Sequence, residues 1–134
     1  AAPAAAARSS AFPATPSMDI FTSERVVIGL SDQLAYLYRG TTLMAVATIS
    51  SGEPGRDTPT GIFTVLNKKT MHRSKKYDNA PMPFAQFIDT YGIALHAGHN
   101  PGHPASHGCV RLPSKFAAKL YQVTDLGTPV LIGA

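Results

Sequence analysis

Internal disulfides and membrane-spanning runs are both lacking in this sequence. It contains one cysteine in 134 residues, so no intrachain disulfide forms and the fold must rest on its core. No apolar run approaches the roughly 18 residues that a membrane-spanning helix needs. An intact signal peptide, with a charged start and an apolar centre, is also missing. The lone thiol is therefore either a small buried hydrophobe or a reactive group.

Strong charge of one sign is lacking as well. The chain has 12 Lys and Arg residues against 8 Asp and Glu, a net charge of +4, which gives only a mild bias towards anionic polymers. No dense basic stripe with interleaved aromatics occurs, and the most basic stretch, residues 67–76, is best explained as a solvated loop. We therefore expect no nucleic acid as a partner.

Composition divides the chain into an arm and one domain. Residues 1–17 are rich in Ala, Pro and Ser with almost no large apolar side chain, so they predict a flexible arm. Small residues such as Ala1 and Ala2 are common just after a signal-peptidase cut, so we expect the mature form of an exported protein. Residues 18–134 have the length of a single domain.

From Arg25 onward, short runs of β-branched and aromatic residues alternate with turn residues, which predicts a mainly β protein. Apolar side chains on both faces of the strand at 34–38 favour a compact β-sandwich of two stacked sheets. One short helix is predicted at 114–123, after the cysteine, with Ser114 as its N-cap. Strands are predicted at 26–30, 34–38, 42–49, 60–66, 84–88, 92–96 and 127–132.

Residues 71–83 break this pattern. They lack periodicity and contain Pro81 and Pro83, which remove backbone donors and fix an extended path. We predict a long loop here, and a long loop in a compact domain often forms a lid or a binding wall. His72 is expected to be a solvated residue of this loop.

The cysteine lies in a histidine-rich segment. Four of the five histidines fall within thirteen residues of Cys109, and a neighbouring imidazole increases the thiolate fraction on which attack depends. Either His96 or His107 is a candidate base, because an extended conformation at 106–110 would project His107 and Cys109 to the same side. Gly108 permits a close backbone approach, and the N–H groups of residues 107–109 are candidate donors to an oxyanion.

The same side chains allow a second interpretation, a tetrahedral zinc site. The candidate ligands match no common zinc motif, and the sequence His-Glu-x-x-His is absent. Pro101 and Pro104 also favour a loop that turns two of the histidines towards solvent. The ligands would come from His96, His99, His103, His107 and Cys109.

Arg111 stands two residues after the cysteine. Its planar guanidinium suits a substrate carboxylate, and the alternative is an arginine that braces a loop. The neighbouring thiol favours the substrate role.

Four short blocks follow one another along the chain. They are Thr58-Pro-Thr-Gly-Ile-Phe-Thr-Val65, Ala80-Pro-Met-Pro-Phe84, Gly92-Ile-Ala-Leu-His96 and Ser106-His-Gly-Cys-Val-Arg-Leu112. In these blocks and their order the sequence resembles the L,D-transpeptidase catalytic domain, the YkuD family. The similarity covers roughly residues 25–134 and is most specific in the last block. It implies a compact β-sandwich in which Cys109 is the nucleophile and His96 the general base.

The resemblance also implies roles for the residues around this pair. The backbone carbonyl of Ala97 would orient the His96 imidazole, and His107 and Gly108 would support the catalytic turn. No cofactor and no metal is expected. Substrate contacts are expected from Arg111, Ser106, Ala97, Met82 and Phe84.

The implied reaction is acyl transfer on peptidoglycan. The cysteine would attack the stem tetrapeptide, release D-alanine and pass the acyl group to a second stem, giving a 3→3 cross-link, or to a D-amino acid in exchange. Donor and acceptor stem peptides are the expected partners, and carbapenem-type acylating agents the expected inhibitors. This places the protein in cell-wall biogenesis and cell shape, in the periplasm or outside the cell. A zinc-dependent cell-wall hydrolase and a non-catalytic wall-binding module stay open as alternatives.

Overall fold

The computed structural model describes residues 23–134. The predicted arm at 1–17 lies outside the described residues, and the domain predicted at 18–134 is described from Ser23. The described range forms two β-sheets, one α-helix and a short 3-10 helix, Lys75–Tyr77. This confirms the mainly β class, the two sheets and the short helix after the cysteine.

Nine strands make up the two sheets. They are β1 (Glu24–Gly29), β2 (Leu34–Arg39), β3 (Thr42–Thr48), β4 (Gly61–Thr64), β5 (Asn67–Ser74), β6 (Ala80–Phe87), β7 (Ala94–Ala97), β8 (Val110–Leu112) and β9 (Pro129–Gly133). The first sheet has the order β3-β2-β1-β9-β4, and the second has the order β5-β6-β7-β8.

Both sheets contribute to one apolar core. In β1, Val26 and Ile28 are fully buried, since residues two apart in a strand point to the same face. They cluster with Leu95 of β7, Val110 of β8 and Leu120 of the helix. Burying a side chain of this kind contributes about 1.5–3 kcal/mol, so the core can hold the fold without a disulfide.

The helix α1 (Ser114–Val123) follows β8 directly and buries Ala117 and Leu120 against the core. The predicted range is correct, but the predicted N-cap is wrong. Pro113 occupies the N-cap position with an extended backbone, and Ser114 is the first helical residue, with no side-chain capping bond. No helix within residues 23–134 is long and apolar enough to span a membrane.

The predicted loop at 71–83 is instead a β-hairpin formed by β5 and β6, with the 3-10 helix at its tip. Pro81 and Pro83 pair with Arg73 and Met71 of β5. On its other side, β6 pairs with β7 only at Gln86 and Phe87. The prolines therefore lie where β6 has a single neighbour, which is where a strand tolerates a missing donor.

Candidate active site

A cavity of about 600 Å³ opens between the tip of the β5–β6 hairpin, the end of β7 and the turn at 106–109. The predicted reacting pair, Cys109 and His96, lies on its wall. The hairpin therefore forms one wall of the site, as the sequence led us to expect of residues 71–83, although by strands instead of a loop. The side chains around the pair include His72, Tyr77, Met82, Ile93, His99, His107 and Arg111.

His96 reaches the cavity from β7 and is only 6% exposed. Its Nδ1 lies 2.7 Å from the carbonyl oxygen of Ala97. A carbonyl only accepts, so Nδ1 carries the proton in the neutral ring, and Nε2 has a free lone pair. Burial lowers the pKa of His96, the nearby Arg111 adds to the lowering, and the bond to the Ala97 carbonyl opposes it. The ring is therefore built to stay neutral and accept a proton at Nε2.

Cys109 immediately precedes β8, whose parallel pairing with β7 sets its position. Val110 pairs with Leu95 and Arg111 with His96, so Cys109 stands level with Ala94. The thiol is half-buried and donates to the carbonyl of Gly92 at 3.5 Å.

The environment of the thiol favours its protonated form. Burial is the largest cause that raises the pKa of Cys109, and the charge of Asp89 raises it further. The Ala94 backbone amide and Arg111 act in the opposite direction. A raised thiol pKa beside a lowered imidazole pKa leaves both groups neutral at rest, so the thiolate forms when the proton passes to the base.

The turn before the cysteine is bent. The extended conformation at 106–110 that would project His107 and Cys109 to the same side does not occur: residues 107–109 form a bend, and β8 begins only at Val110. The Ser106 hydroxyl closes the bend, since it donates to the Cys109 carbonyl at 2.5 Å and accepts from the Gly108 N–H at 3.2 Å. Ser106 is 2% exposed. Its hydroxyl is therefore used to shape the turn.

Gly108 is required by this turn. Its φ is 123°, a region that side chains rarely adopt. A Cβ at this position would also lie 3.0 Å from Cδ1 of Ile93. Of the three N–H groups considered as oxyanion donors, that of Gly108 is taken by Ser106. The N–H of Cys109 has no hydrogen-bond partner within residues 23–134.

His107 is an exposed residue on the cavity wall. Its ring lies on that of Tyr77, at the hairpin tip, with 4.3 Å between the centroids. This contact joins the turn at 106–109 to the opposite wall of the cavity.

Arg111 is half-buried and lines the cavity together with Cys109 and His96. Its Nη1 donates to the carbonyl of His99 at 3.3 Å. One edge of the guanidinium thus anchors the loop after β7, and the cation faces the cavity.

The two residues predicted from the second block differ in their position. Met82 is buried and lines the cavity. Phe84 does not line it: the backbone has a φ of 53° at this residue, and the ring packs on Tyr121 of α1, with centroids 5.6 Å apart. A left-handed residue departs from the strand alternation that would place it beside Met82. Phe84 therefore supports the helix.

The remaining histidines are spread out. His99 is exposed on the cavity wall, whereas His103 is exposed on the loop with its Nδ1 3.3 Å from the Pro104 carbonyl. His72 was expected to be solvated, and this is wrong. It is half-buried and lines the cavity. Its ring packs on that of Phe87 in a T-shaped arrangement, with 5.0 Å between the ring centroids. Within the part of the chain that the structure describes, no three His, Cys, Asp or Glu side chains group closely enough to hold a metal.

Some site residues gave no sequence signal of their role. Tyr77 lies in a stretch that was predicted to be a loop. Thr58 is the first residue of a similarity block, and no role was predicted for it. Gln33 is 8% exposed, and its amide bonds both the N–H and the hydroxyl of Ser51, next to the catalytic turn. Contacts of this kind join residues far apart in the chain, and only the folded structure brings them together.

A thiol and a neutral imidazole in one cavity of a β-sandwich define the class: a candidate cysteine–histidine acyl-transfer site. Comparison with known families agrees with that class. The model described as "L,D-transpeptidase catalytic domain", YkuD, matches residues 23–132. The chain belongs to this family.

Individual relatives agree with the family. The chain is 28% identical over 133 residues to the probable L,D-transpeptidase YbiS of Escherichia coli, a match over 80% of this chain and 44% of the relative. A crystal structure of an L,D-transpeptidase from Stackebrandtia nassauensis is 26% identical with a TM-score of 0.77, over 84% of this chain and 56% of that one. The chain thus spans less than half of its curated relative.

A third similar structure contains an adduct. It is L,D-transpeptidase 3 from Mycobacterium tuberculosis in complex with a faropenem-derived adduct, 21% identical with a TM-score of 0.76. The match covers 84% of this chain and 60% of that one. At this identity the similarity shows the shared fold.

Proposed function

We propose that this chain is the catalytic domain of a peptidoglycan L,D-transpeptidase that acts by cysteine acyl transfer. The observation that carries the proposal is the pair of Cys109 and His96 in one cavity, with the imidazole held by the Ala97 carbonyl so that Nε2 is free. Membership of the L,D-transpeptidase family supports this choice of reaction.

The first half-reaction acylates the cysteine. Nε2 of His96 takes the thiol proton, and the sulfur of Cys109 attacks the carbonyl between the L-centred stem residue and the terminal D-alanine. The new oxyanion accepts a hydrogen bond from the unpaired N–H of Cys109. When the tetrahedral intermediate collapses, the C–N bond breaks, D-alanine leaves with the proton from His96, and a thioester remains.

The second half-reaction resolves the thioester. The side-chain amine of a second stem attacks the acyl carbon, loses a proton to His96 and displaces the thiol, which gives a 3→3 cross-link. A free D-amino acid gives exchange at the same step. The new peptide bond replaces the one that was cleaved, so neither ATP nor a cofactor is needed.

The walls of the cavity supply the substrate contacts in this proposal. Arg111 offers a cation to a substrate carboxylate, and Met82 offers an apolar surface nearby. His107 and Tyr77 form a joined aromatic wall. The site is shaped by the Ser106 hydroxyl, the Ala97 carbonyl and the backbone of Gly108.

The proposed substrate sets the proposed location. Peptidoglycan lies in the periplasm or outside the cell, so the domain acts there, in cell-wall biogenesis and cell shape. The net charge of +4 would favour residence near an anionic wall. The faropenem-derived adduct in the Mycobacterium tuberculosis relative supports strained β-lactams, carbapenem-type compounds included, as acylating probes of this site.

Intact mass spectrometry with a disaccharide tetrapeptide tests the proposal. The wild-type protein is expected to form a transient adduct at Cys109, release D-alanine and yield cross-linked dimer. Cys109→Ala, the matched control, should give none of these. Muropeptide binding with an unmodified thiol would indicate a wall-binding module, and product formation that a chelator abolishes would indicate a metal hydrolase. Either outcome contradicts the proposal.

A further inference from the structure

Residues 50–58, in the loop between β3 and β4, lie against the turn at 106–109. Ser50 exchanges two backbone hydrogen bonds with Arg111, each 2.9–3.0 Å long. The carbonyl of Ser51 accepts from the N–H groups of Ala105 and Ser106. These bonds fix both ends of the turn, at 105–106 and at Arg111, and leave the peptide between Gly108 and Cys109 to be oriented separately.

One side chain of this segment orients that peptide. Thr58 is 4% exposed, and its hydroxyl accepts from the Gly52 N–H at 2.9 Å and donates to the Gly108 carbonyl at 2.7 Å. An N–H only donates and a carbonyl only accepts, so the direction of both bonds is fixed. No other side chain within residues 23–134 donates a hydrogen bond to the Gly108 carbonyl.

The carbonyl of Gly108 and the N–H of Cys109 belong to one peptide unit. No cis peptide occurs within residues 23–134, and in a trans peptide the C=O and N–H point in opposite directions. Thr58 holds the carbonyl towards the protein interior, so the N–H of Cys109 is directed away from it. That N–H is the unpaired one described above.

The orientation needs such an anchor because Gly108 restrains it weakly. A glycine populates positive and negative φ about equally, so its peptide can rotate more easily than that of other residues. A hydrogen bond to a peptide carbonyl also polarises the unit and strengthens its N–H as a donor.

We propose that Thr58 is a positioning residue: it holds the Gly108–Cys109 peptide so that the N–H of Cys109 stabilises the oxyanion of acyl transfer. The inference rests on the proposed function, since it assumes attack on a carbonyl. It adds a role for the first residue of the Thr58–Val65 block, fifty residues away from the peptide it holds.

Two reactions of the same thiol separate this role from a merely structural one. Acylation by imipenem forms a C–S bond at the lactam carbonyl and passes through an oxyanion before the ring C–N bond breaks. Alkylation by iodoacetamide forms a C–S bond at a CH₂ carbon and expels iodide, with no oxyanion. The informative quantity is the ratio of the two rate constants, read by intact mass.

Thr58→Val keeps the shape and removes the hydroxyl, and Thr58→Ser keeps the hydroxyl. In the valine variant we expect acylation to fall about ten- to a hundredfold, which is less than the roughly 10²–10³-fold loss on removing a whole oxyanion donor, because the Cys109 N–H itself remains. Alkylation should stay within about twofold. The serine variant should restore most of the ratio. If the valine variant folds poorly, the ratio of the acylation and alkylation rate constants is measured in Thr58→Ala instead.

The outcomes distinguish this inference from the proposed function. If wild-type Cys109 is alkylated but never acylated, the proposed function fails. If wild type is acylated and the ratio is unchanged in Thr58→Val or Thr58→Ala, the role of Thr58 is overturned alone. An equal fall in both reactions also overturns it, because the hydroxyl would then serve the thiol or the fold.

Discussion

The Nδ1 atom of His96 donates to the carbonyl oxygen of Ala97, the next residue of the same strand, across 2.7 Å. This bond selects the tautomer without any acidic third residue, since a backbone carbonyl holds the ring in place of a carboxylate. A carboxylate would also stabilise the imidazolium by its charge and raise the pKa. Here burial dominates and lowers the pKa of His96. The Ala97 carbonyl therefore orients the ring, and burial keeps it neutral.

The acid limb of the pH–rate profile is the first prediction. Because the pKa of His96 is lowered from its ordinary value of 6.5, the neutral ring persists below that pH, and protonation at still lower pH removes the base. Imipenem acylation should therefore hold from neutral pH to below pH 6.5 and then fall. The measurement is the acylation rate by intact mass across pH, with His107→Ala as control.

His96→Gln should abolish this limb together with most of the rate, whereas His107→Ala should keep the limb. General base catalysis contributes about 10²–10⁴-fold, which sets the size of the loss. A limb that disappears in His107→Ala but persists in His96→Gln would reverse the assignment of the base.

The second prediction concerns Asp89, whose charge raises the pKa of Cys109. Asp89 also accepts from the N–H groups of Tyr91 and Ile93, each at 2.9 Å, through one oxygen. Asp89→Asn keeps an acceptor oxygen for both bonds and removes the charge. The pKa of the thiol should fall, so iodoacetamide alkylation near neutral pH should become a few-fold faster.

The matched control is Asp125→Asn, because Asp125 is an exposed carboxylate outside the cavity. This variant should leave the rate of iodoacetamide alkylation near neutral pH unchanged. A slower reaction in Asp89→Asn would mean that the turn at 89–93 collapsed, and would contradict an electrostatic role.

How much of the site was predictable depends on the distance between the partners in the chain. Cys109 and His96 lie thirteen residues apart in one segment, and the order of the blocks around them carried the family resemblance. The shape of the turn could not be predicted from alternation, which allows an extended chain at 106–110, whereas Gly108 and the Ser106 hydroxyl bend it. Local bonds of a side chain compete with the strand pattern.

In the fold, too, local patterns were predictable and long-range pairing was not. The apolar alternation at 34–38 gave the right strand, since burial of Ala35 and Leu37 decides it. The strands at 71–83 were missed because Pro81 and Pro83 argue against a paired strand unless one edge is known to be free. That freedom depends on how far β7 extends beside β6, which is a tertiary fact.

The third prediction concerns Arg111. Removing its charge with Arg111→Met should raise KM for a tetrapeptide donor by about tenfold or more, since a hydrogen bond to a charged group contributes about 1.5–3 kcal/mol. Arg111→Lys should recover only part of the loss, because an ammonium lacks the planar fork. Steady-state release of D-alanine measures both variants.

The control for Arg111 is Arg39→Met. Arg39 pairs with Glu24 on the first sheet, and neither residue lines the cavity. This variant should leave KM unchanged. If Arg111→Met lowered kcat with KM unchanged, the guanidinium would act on the reacting groups and not on the substrate carboxylate.

The last prediction separates two costs at Gly108. In Gly108→Ala the methyl group meets Ile93 at 3.0 Å, and the backbone must hold a φ of 123°. Gly55 has a φ of 88° with nothing within 4 Å of its Cβ position, so Gly55→Ala reports backbone strain alone. Strain of this kind costs about 1–3 kcal/mol. Both variants should therefore show a lower free energy of unfolding in urea, with the larger loss in Gly108→Ala.

The rate of imipenem acylation should separate Gly108→Ala from Gly55→Ala. Gly108→Ala shifts the turn that places the thiol and the Cys109 N–H, so imipenem acylation should fall at least tenfold, while Gly55→Ala should acylate at the wild-type rate. Adding Ile93→Val to Gly108→Ala shortens the side chain that the new methyl meets, and should recover part of the stability. If that double variant is no more stable than Gly108→Ala, the backbone conformation alone requires glycine here.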